Sequence, residues 1–177
     1  MESLRAGIGF VPQKGVLFTG TVAENIRFGK EDATQEEIER AAKLAMADGF
    51  VSDMENGYES IIAQGGSNVS GGQKQRLSIA RALVKEAGIV VFDDSFSALD
   101  MKTDAELRRN LDEEHANVTK IIVAQRISTI LNADRIIVVD DGKIVGNGTH
   151  AELMESCDVY GQIARSQLSE RELEGIK

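Results

Sequence analysis

Apolar and polar positions along the chain follow two different periods. Short apolar runs typical of strands lie at residues 8–11, 89–93, 120–124, 135–139 and 143–145. Helices are predicted over residues 32–47, 72–85 and 101–114, the first two from apolar residues at helical spacing. Strands separated by helices predict an α/β fold with a mostly parallel sheet and helices on both faces.

Capping and turn signals set several element boundaries. Thr34 with Glu37, and Thr149 with Glu152, have the spacing of a capping box, in which each side chain bonds the partner's backbone N–H at a helix start. The dipeptide Asp141-Gly142 predicts a hairpin turn between the last two strands.

A serine and two glycines precede the helix predicted from residue 72, in the segment NVSGGQKQR that starts at Asn68. A serine followed by two glycines at the head of a helix, as at Ser70, Gly71 and Gly72, leaves backbone N–H groups bare, and the positive end of the helix dipole lies at the same point. The pattern therefore predicts an anion site, with phosphate as the natural occupant.

Two acids, Asp93 and Asp94, end the apolar run that starts at Ile89. A carboxylate at the end of a buried strand can hold Mg²⁺ directly or through water, with phosphate oxygens completing the shell. The serine-glycine segment and the acidic pair together predict a protein that handles phosphate groups.

Composition narrows the class of protein. With 177 residues, 42% of them hydrophobic, the chain is long enough for one globular domain or most of one. The net charge of −9 argues against a nucleic-acid partner. Cys157, the one cysteine, fits a reducing compartment.

His115 and His150 lie in polar surroundings and are predicted to be surface residues. No apolar run approaches the roughly 20 residues of a membrane-spanning helix, so the chain itself is expected to be soluble.

Six motifs resemble, in their order and spacing, the nucleotide-binding domain of an ABC transporter. They read VPQK, VSGGQ, VVFDD, SALD, AQRIST and GTHAEL, and they start at Val11, Val69, Val90, Ser97, Ala124 and Gly148. The segment LFTGTVAENI, residues 17–26, is similar to the stretch that follows the glutamine loop in exporters built from half-transporters. The resemblance covers nearly the whole chain.

This resemblance implies a P-loop NTPase-like, or RecA-like, α/β fold with a mostly parallel sheet. Residues 1–177 would form a partial nucleotide-binding domain. Residues 29–86, predicted to be nearly all helical, would be its helical subdomain, and residues 1–28 and 87–177 the remainder of the catalytic core. ATP and Mg²⁺ are the implied cofactors.

Roles for the site residues also follow from the resemblance. Gln13 would reach Mg²⁺ and the attacking water, and Asp93 would be the metal-binding aspartate. Residues 70–73, called the signature below, would bind the γ-phosphate of ATP held on the opposite domain. Ser97 and Asp100, in the stretch between the two sites, would contribute to cofactor binding. The turn at residues 64–66 falls where exporters contact their coupling helices.

Two departures from the family pattern concern catalysis. Asp94 stands where the family has its catalytic glutamate, and a carboxylate set back by about 1 Å can cost on the order of a hundredfold in rate. Gln125 replaces the switch histidine; it can hydrogen-bond the γ-phosphate but cannot carry a proton. A purely structural role for Gln125 stays open. Because both changes weaken one site while the signature is intact, the pattern predicts half of a heterodimeric exporter with a degenerate ATP site.

A third departure is that no segment matches the phosphate-binding motif G-x-x-x-x-G-K-[ST]. Gly29-Lys30 is followed by Glu31, and Gly142-Lys143 by Ile144. We therefore expect an N-terminally truncated domain that begins just upstream of Gln13. Three interpretations of Met1 stay open: an internal methionine of a longer gene, a truncation point, or the chosen end of a fragment.

Two functional classes result. In the first, the chain is the ATP-binding or ATPase component of an ABC exporter, held at the cytoplasmic face of the cell membrane by transmembrane domains and paired with a second, non-identical nucleotide-binding domain. In the second, it is a non-catalytic fragment or binding module that cannot bind ATP alone. A DNA-acting ABC ATPase is disfavoured by the exporter-like segment at residues 17–26 and by the acidic charge.

We expect the 177-residue chain alone neither to bind ATP tightly nor to hydrolyse it. The glycine-rich cradle and its lysine normally supply most contacts to the β- and γ-phosphates, and Asp93 and Gln13 cannot replace them. Titration calorimetry with Mg-ATP checks this expectation, and submicromolar affinity would contradict it.

Overall fold

The computed structural model describes Arg5 and residues 7–169, and it divides into two compact units, Met1–Val123 and Ala124–Lys177. The first unit contains β1 (Ile8–Val11), β2 (Gly20–Thr21), α1 (Val22–Arg27), α2 (Gln35–Leu44), α3 (Asp48–Ser52), β3 (Ile61–Ile62), α4 (Gly71–Leu83), β4 (Ile89–Asp93), α5 (Met101–Glu114) and β5 (Thr119–Val123). The second contains α6 (Ile127–Ile130), β6 (Ile136–Asp140), β7 (Lys143–Gly148), α7 (His150–Ser156) and α8 (Asp158–Gln167). The predicted α/β class is confirmed.

Three strands of the first unit form a parallel sheet in the order β1-β4-β5. Val11 lies opposite Phe92, and Phe92 lies opposite Ile122. Because side chains alternate between the two faces of a sheet, Val11, Val90 and Phe92 share one face, and each is at most 2% exposed. Helix α4 packs against β1. The segments that carry Gln13 and Asp94 follow β1 and β4, which are adjacent and parallel.

The opposite face of the sheet is open within the first unit. It carries Phe10, Ile121 and Val123, which are 56%, 49% and 51% exposed. The strands are apolar at most positions, a pattern typical of parallel sheets buried on both faces. Among the described residues of this unit, packing fully buries one face of the sheet. The prediction was that helices cover both faces.

The lobe between β1 and β4 contains helices α1 to α4 with non-helical stretches between them, whereas residues 29–86 were predicted to be nearly all helical. The capping box at Thr34 is confirmed: its backbone N–H donates to Glu37 Oε2 at 2.8 Å, and the Glu37 N–H donates to Thr34 Oγ1 at 3.2 Å. The lobe also contains β3, which pairs antiparallel with β2. Two-residue strands are too short to leave a periodic pattern in the sequence. The limits of a helical subdomain at residues 29 and 86 stay a prediction.

The second unit is built on the antiparallel pair β6 and β7. Asp141 and Gly142 connect the strands with φ angles of 45° and 72°, the left-handed backbone that a two-residue hairpin turn requires, so the predicted hairpin is confirmed. The unit's core is formed by Ile127, Ile136, Val138, Leu153, Cys157, Tyr160, Ala164 and Leu168. In neither unit do the described residues include a helix that could cross a membrane.

His150 is buried, which corrects the prediction that it lies at the surface. It is 4% exposed, and its Nδ1 lies 2.6 Å from the hydroxyl oxygen of Tyr160, which is 2% exposed. The polar neighbours of His150 in the sequence concealed this position, because the burial comes from the packing of α8 against α7. Burial lowers the pKa of His150 and raises that of Tyr160.

We predict that Gly29→Ala destabilises the first unit. An alanine Cβ there would lie 1.9 Å from the carbonyl oxygen of Arg81, so the backbone of one segment must move, at a cost of about 1–3 kcal/mol of unfolding free energy. Gly49→Ala is the matched control, because a Cβ at Gly49 in α3 meets no atom within 4 Å. Urea unfolding followed by circular dichroism should show a loss for Gly29→Ala alone; equal midpoints would contradict the prediction.

We also predict that His150 makes the free energy of unfolding decrease as the pH is lowered. Its folded-state pKa is lowered, so below about pH 6.5 the unfolded state binds more protons, and the unfolding free energy drops by at most about 1.4 kcal/mol per pH unit. His150→Gln should reduce this slope in urea titrations between about pH 7.5 and 5.5. His115→Gln is the companion variant, since burial lowers the pKa of His115 as well. An unchanged slope in His150→Gln would show that His150 is not responsible.

Candidate functional site

The carboxyl ends of β1 and β4 bring Gln13 and Asp94 together. Because the strands are parallel and adjacent, the segments that follow them leave the sheet at the same edge. Gln13 Nε2 donates a hydrogen bond of 3.3 Å to Asp94 Oδ2. Two predicted catalytic residues that are 81 positions apart therefore meet in one place.

Asp94 is held by its backbone in a conformation that few residues adopt. Its φ is 45°, in the left-handed region, where aspartate is tolerated better than most residues. The Asp94 N–H donates to the carbonyl oxygen of Val123 at 2.9 Å, and the Asp94 carbonyl accepts from Ser97 Oγ at 2.8 Å. With 9% exposure, Asp94 is buried enough for these bonds to fix its direction. Strained backbone of this kind is common at functional sites.

Asp93, the predicted metal ligand, is the last residue of β4 and is half-buried. No group of three or more His, Cys, Asp or Glu side chains in the described part of the chain could hold a metal on its own. The oxygen donors of this segment are the carboxylates of the consecutive residues Asp93 and Asp94, and Gln13 contacts Asp94 through its amide. Such oxygen donors fit Mg²⁺, which usually takes only one or two protein carboxylates and completes its shell with water and phosphate oxygens.

The signature opens helix α4 through a capping box. The Ser70 N–H donates to Gln73 Oε1 at 2.8 Å, and the Gln73 N–H donates to Ser70 Oγ at 3.3 Å. A Cβ added to Gly71 would meet no atom within 4 Å, and one added to Gly72 would meet only the Ala98 carbonyl oxygen, at 3.6 Å. Neither glycine is required by crowding or by a positive φ, so the helix start is open to the close approach of another group.

Ser97 and Asp100, predicted to bind cofactor, stabilise local structure. Ser97 donates to the Asp94 carbonyl as described, and Asp100 is the N-cap of α5. The Asp100 carboxylate accepts from the Thr103 N–H at 3.0 Å and from Thr103 Oγ1 at 2.7 Å, and these hydrogen bonds lower its pKa. Any contact of these side chains with a nucleotide must be compatible with those bonds.

Gln125 belongs to the second unit, where a glutamine of α8 fixes its backbone. Gln167 Nε2 donates to the Gln125 carbonyl oxygen at 2.9 Å, and Gln167 Oε1 accepts from the Ile127 N–H at 2.9 Å. One amide thus bridges both ends of the turn that precedes α6. Sequence analysis did not single out Gln167, because its partner lies 42 residues away.

Two buried polar side chains that sequence analysis missed bind the backbone before Gln13. Ser95, with no exposed surface, donates to the Val11 carbonyl at 3.0 Å, and Gln75, 1% exposed, donates to the Pro12 carbonyl at 3.1 Å. A signal for Gln75 was available in the pattern. It occupies the apolar stripe of α4, four residues before Ile79, and a polar side chain on such a stripe usually makes a buried hydrogen bond.

Comparison with known proteins places these motifs in a family. The family model described as ABC transporter matches residues 1–97. An uncharacterized ABC transporter ATP-binding protein of Mycobacterium tuberculosis is 49% identical over 169 residues, covering 94% of this chain and 29% of that protein. The ATP-dependent lipid A-core flippase of Vibrio vulnificus is 42% identical over 171 residues, covering 96% of this chain and 29% of that protein. The chain thus spans under a third of the length of these relatives.

The solved structure of a bacterial Atm1-family ABC exporter with ATP bound is similar in fold. It superimposes with a TM-score of 0.91 and 37% sequence identity, over 96% of this chain and 30% of that one. The P-loop NTPase-like fold predicted from the motifs is confirmed.

Proposed function

The chain belongs to the ABC transporter family, and on that premise we propose that it is the ATP-binding, energy-coupling part of an ABC exporter. ATP binding would bring two such domains together, hydrolysis would separate them, and transmembrane domains would follow. The names of the flippase and exporter relatives support transport out of the cytoplasm as the process served. The transmembrane domains would hold the chain at the cytoplasmic face of the cell membrane.

The contact between Gln13 and Asp94 carries this proposal. In open α/β sheets, ligands bind beyond the carboxyl ends of the strands, where these two side chains lie 3.3 Å apart. Gln13 and Asp93 would hold Mg²⁺, which when bound would neutralise charge on the phosphate oxygens. Asp94 would accept a proton from the attacking water, with the Gln13 amide orienting the carboxylate.

Within the proposal, this chain's own ATP site is the weaker of two. The Asp94 carboxylate is one methylene shorter than the glutamate of the family, and the fixed backbone of Asp94 limits how far it can move to compensate. Gln125 lacks the proton and the charge that a histidine could supply. We therefore propose that this site holds nucleotide and that a non-identical partner domain carries the hydrolytic site, with a glutamate and a histidine at the corresponding positions.

The signature would complete the partner's site. A Cβ added to Gly71 would meet no atom within 4 Å and one added to Gly72 only the Ala98 carbonyl oxygen, so an anion has room at the start of α4, where the helix dipole favours it. Ser70 Oγ accepts a hydrogen bond from Gln73, so its own O–H is still able to donate to a phosphate oxygen. The turn Gln64–Gly66, with left-handed Gly65 and Gly66, is the proposed contact with a coupling helix.

We predict that Ser70→Arg abolishes turnover in the assembled exporter. A bulky side chain would block the approach of the γ-phosphate to the bare N–H groups, and loss of such donors costs about 10²–10³-fold. Thr34→Arg is the matched control, because it removes an equivalent capping box on α2 at a similar stability cost of about 1 kcal/mol. ATPase assays should show a loss for Ser70→Arg only.

Asp94→Asn provides the second arm of this test. It removes the base of the weaker site and should leave most of the activity, whereas removing the base of a working site costs about 10²–10⁴-fold. If Asp94→Asn silences the exporter while Ser70→Arg spares it, the two sites have been assigned the wrong way round.

A further inference from the structure

Gln75 is a buried amide at an unusual place in the first unit. It is 1% exposed, although glutamine is seldom fully buried, and its Nε2 donates to the carbonyl oxygen of Pro12 at 3.1 Å. The two residues are 63 positions apart. The bond joins the signature helix α4 to the Gln13 loop, residues 12–15, and the catalytic roles proposed above give neither Gln75 nor this bond a part.

The bond acts on the peptide unit from which Gln13 extends. The carbonyl of Pro12 and the nitrogen of Gln13 belong to one planar peptide group, so a donor that fixes the carbonyl also fixes the direction in which the chain enters Gln13. Proline adds to this control, because its ring restricts φ. The preceding carbonyl, that of Val11, is held by Ser95 from the segment after Asp94.

Close packing is a second link between the Gln13 loop and helix α4. A Cβ on Gly15 would lie 2.7 Å from the carbonyl oxygen of Lys74 and 2.9 Å from the nitrogen of Gln75. The Gln13 loop therefore lies directly on the backbone of α4, within two turns of Ser70. If the start of α4 moves while the hydrogen bond of Gln75 is kept, the Gln13 loop must move with it.

We propose that Gln75 is a positioning residue that couples the signature to the Gln13 loop, and thereby links the two nucleotide sites of the exporter. The inference rests on the proposed function, in which Gln13 serves this chain's own site and the signature serves the partner's. Nucleotide at the weaker site would set the position of Gln13, and Gln75 would transmit that position to α4. Coupling of this kind is a free energy shared by two sites, so it acts equally in the reverse direction.

The test is a double-mutant cycle on ATP turnover by the assembled exporter. Gln75→Met keeps the length and apolar stem of the side chain but removes the donor, and Gln13→Ala removes the side chain that the loop presents. Each change alone should lower kcat by roughly two- to thirtyfold, the range found for residues that transmit coupling. The double variant should be no slower than the slower single variant, because both changes break one pathway.

Controls separate positioning from stability. Ser78→Ala alters another buried polar residue of α4, three positions from Gln75, and should leave kcat and its response to Gln13→Ala unchanged. Melting temperatures of all variants show whether lost activity is lost folding. If Gln75→Met does not fold, Gln75→Asn serves in the same cycle, since its amide is one methylene too short to reach Pro12.

The outcomes are distinct. A wild-type exporter without ATP hydrolysis would contradict the proposed function itself. Hydrolysis in the wild type, together with losses for Gln75→Met and Gln13→Ala that multiply in the double variant, would leave the function standing and overturn the coupling role. An unchanged kcat in a folded Gln75→Met exporter would overturn it as well.

Discussion

The parallel pairing of β1 with β4 is the constraint on which the candidate site depends. Two strands that are far apart in the sequence end at the same edge of the sheet, and this places the Gln13 amide 3.3 Å from the Asp94 carboxylate. Val11 and Phe92, opposite each other and buried, hold the register. A slip of β1 by one residue would turn Val11 to the open face, so the hydrophobic core and the site are specified by the same pairing.

Helix capping decides which atoms remain for a ligand. Ser70 and Gln73 satisfy each other's backbone, and Asp100 does the same for the start of α5. At the signature, the Ser70 hydroxyl only accepts in this bond, so its O–H and the backbone N–H groups of the helix start are the available donors. In the proposed function, phosphate binding there would be sensitive to bulk near Gly71 and Gly72, where an added Cβ has space.

Buried polar bonds tie the proposed catalytic segments to the rest of the first unit. Ser95 and Gln75 hold consecutive carbonyls before Gln13, and Asp94 is held by bonds to Val123 and Ser97. The bonds of Ser95 and Gln75 are the costliest to break, because a buried polar side chain left without a partner costs about 1–3 kcal/mol of stability. The positions of the Gln13 loop and of the segment after Asp94 are therefore coupled to each other, and that of the Gln13 loop is coupled to α4, although both segments are short and partly exposed.

Local patterns in the sequence were sufficient for the longer elements and the family, but not for the two-residue strands β2 and β3. The bounds of β1, β4 and α5, the capping boxes at Thr34 and Thr149 and the hairpin at Asp141 were predicted from residues within a few positions of one another. Capping and turn bonds are short-range, and the apolar runs of the strands are visible in the local sequence, although the strands pair with distant residues. Tertiary structure decided the burial of His150, the open face of the sheet, and the contacts of Gln13 with Asp94 and of Gln75 with Pro12. Those contacts join residues 81 and 63 positions apart, and such pairs meet only when the strands and helices that carry them pack together.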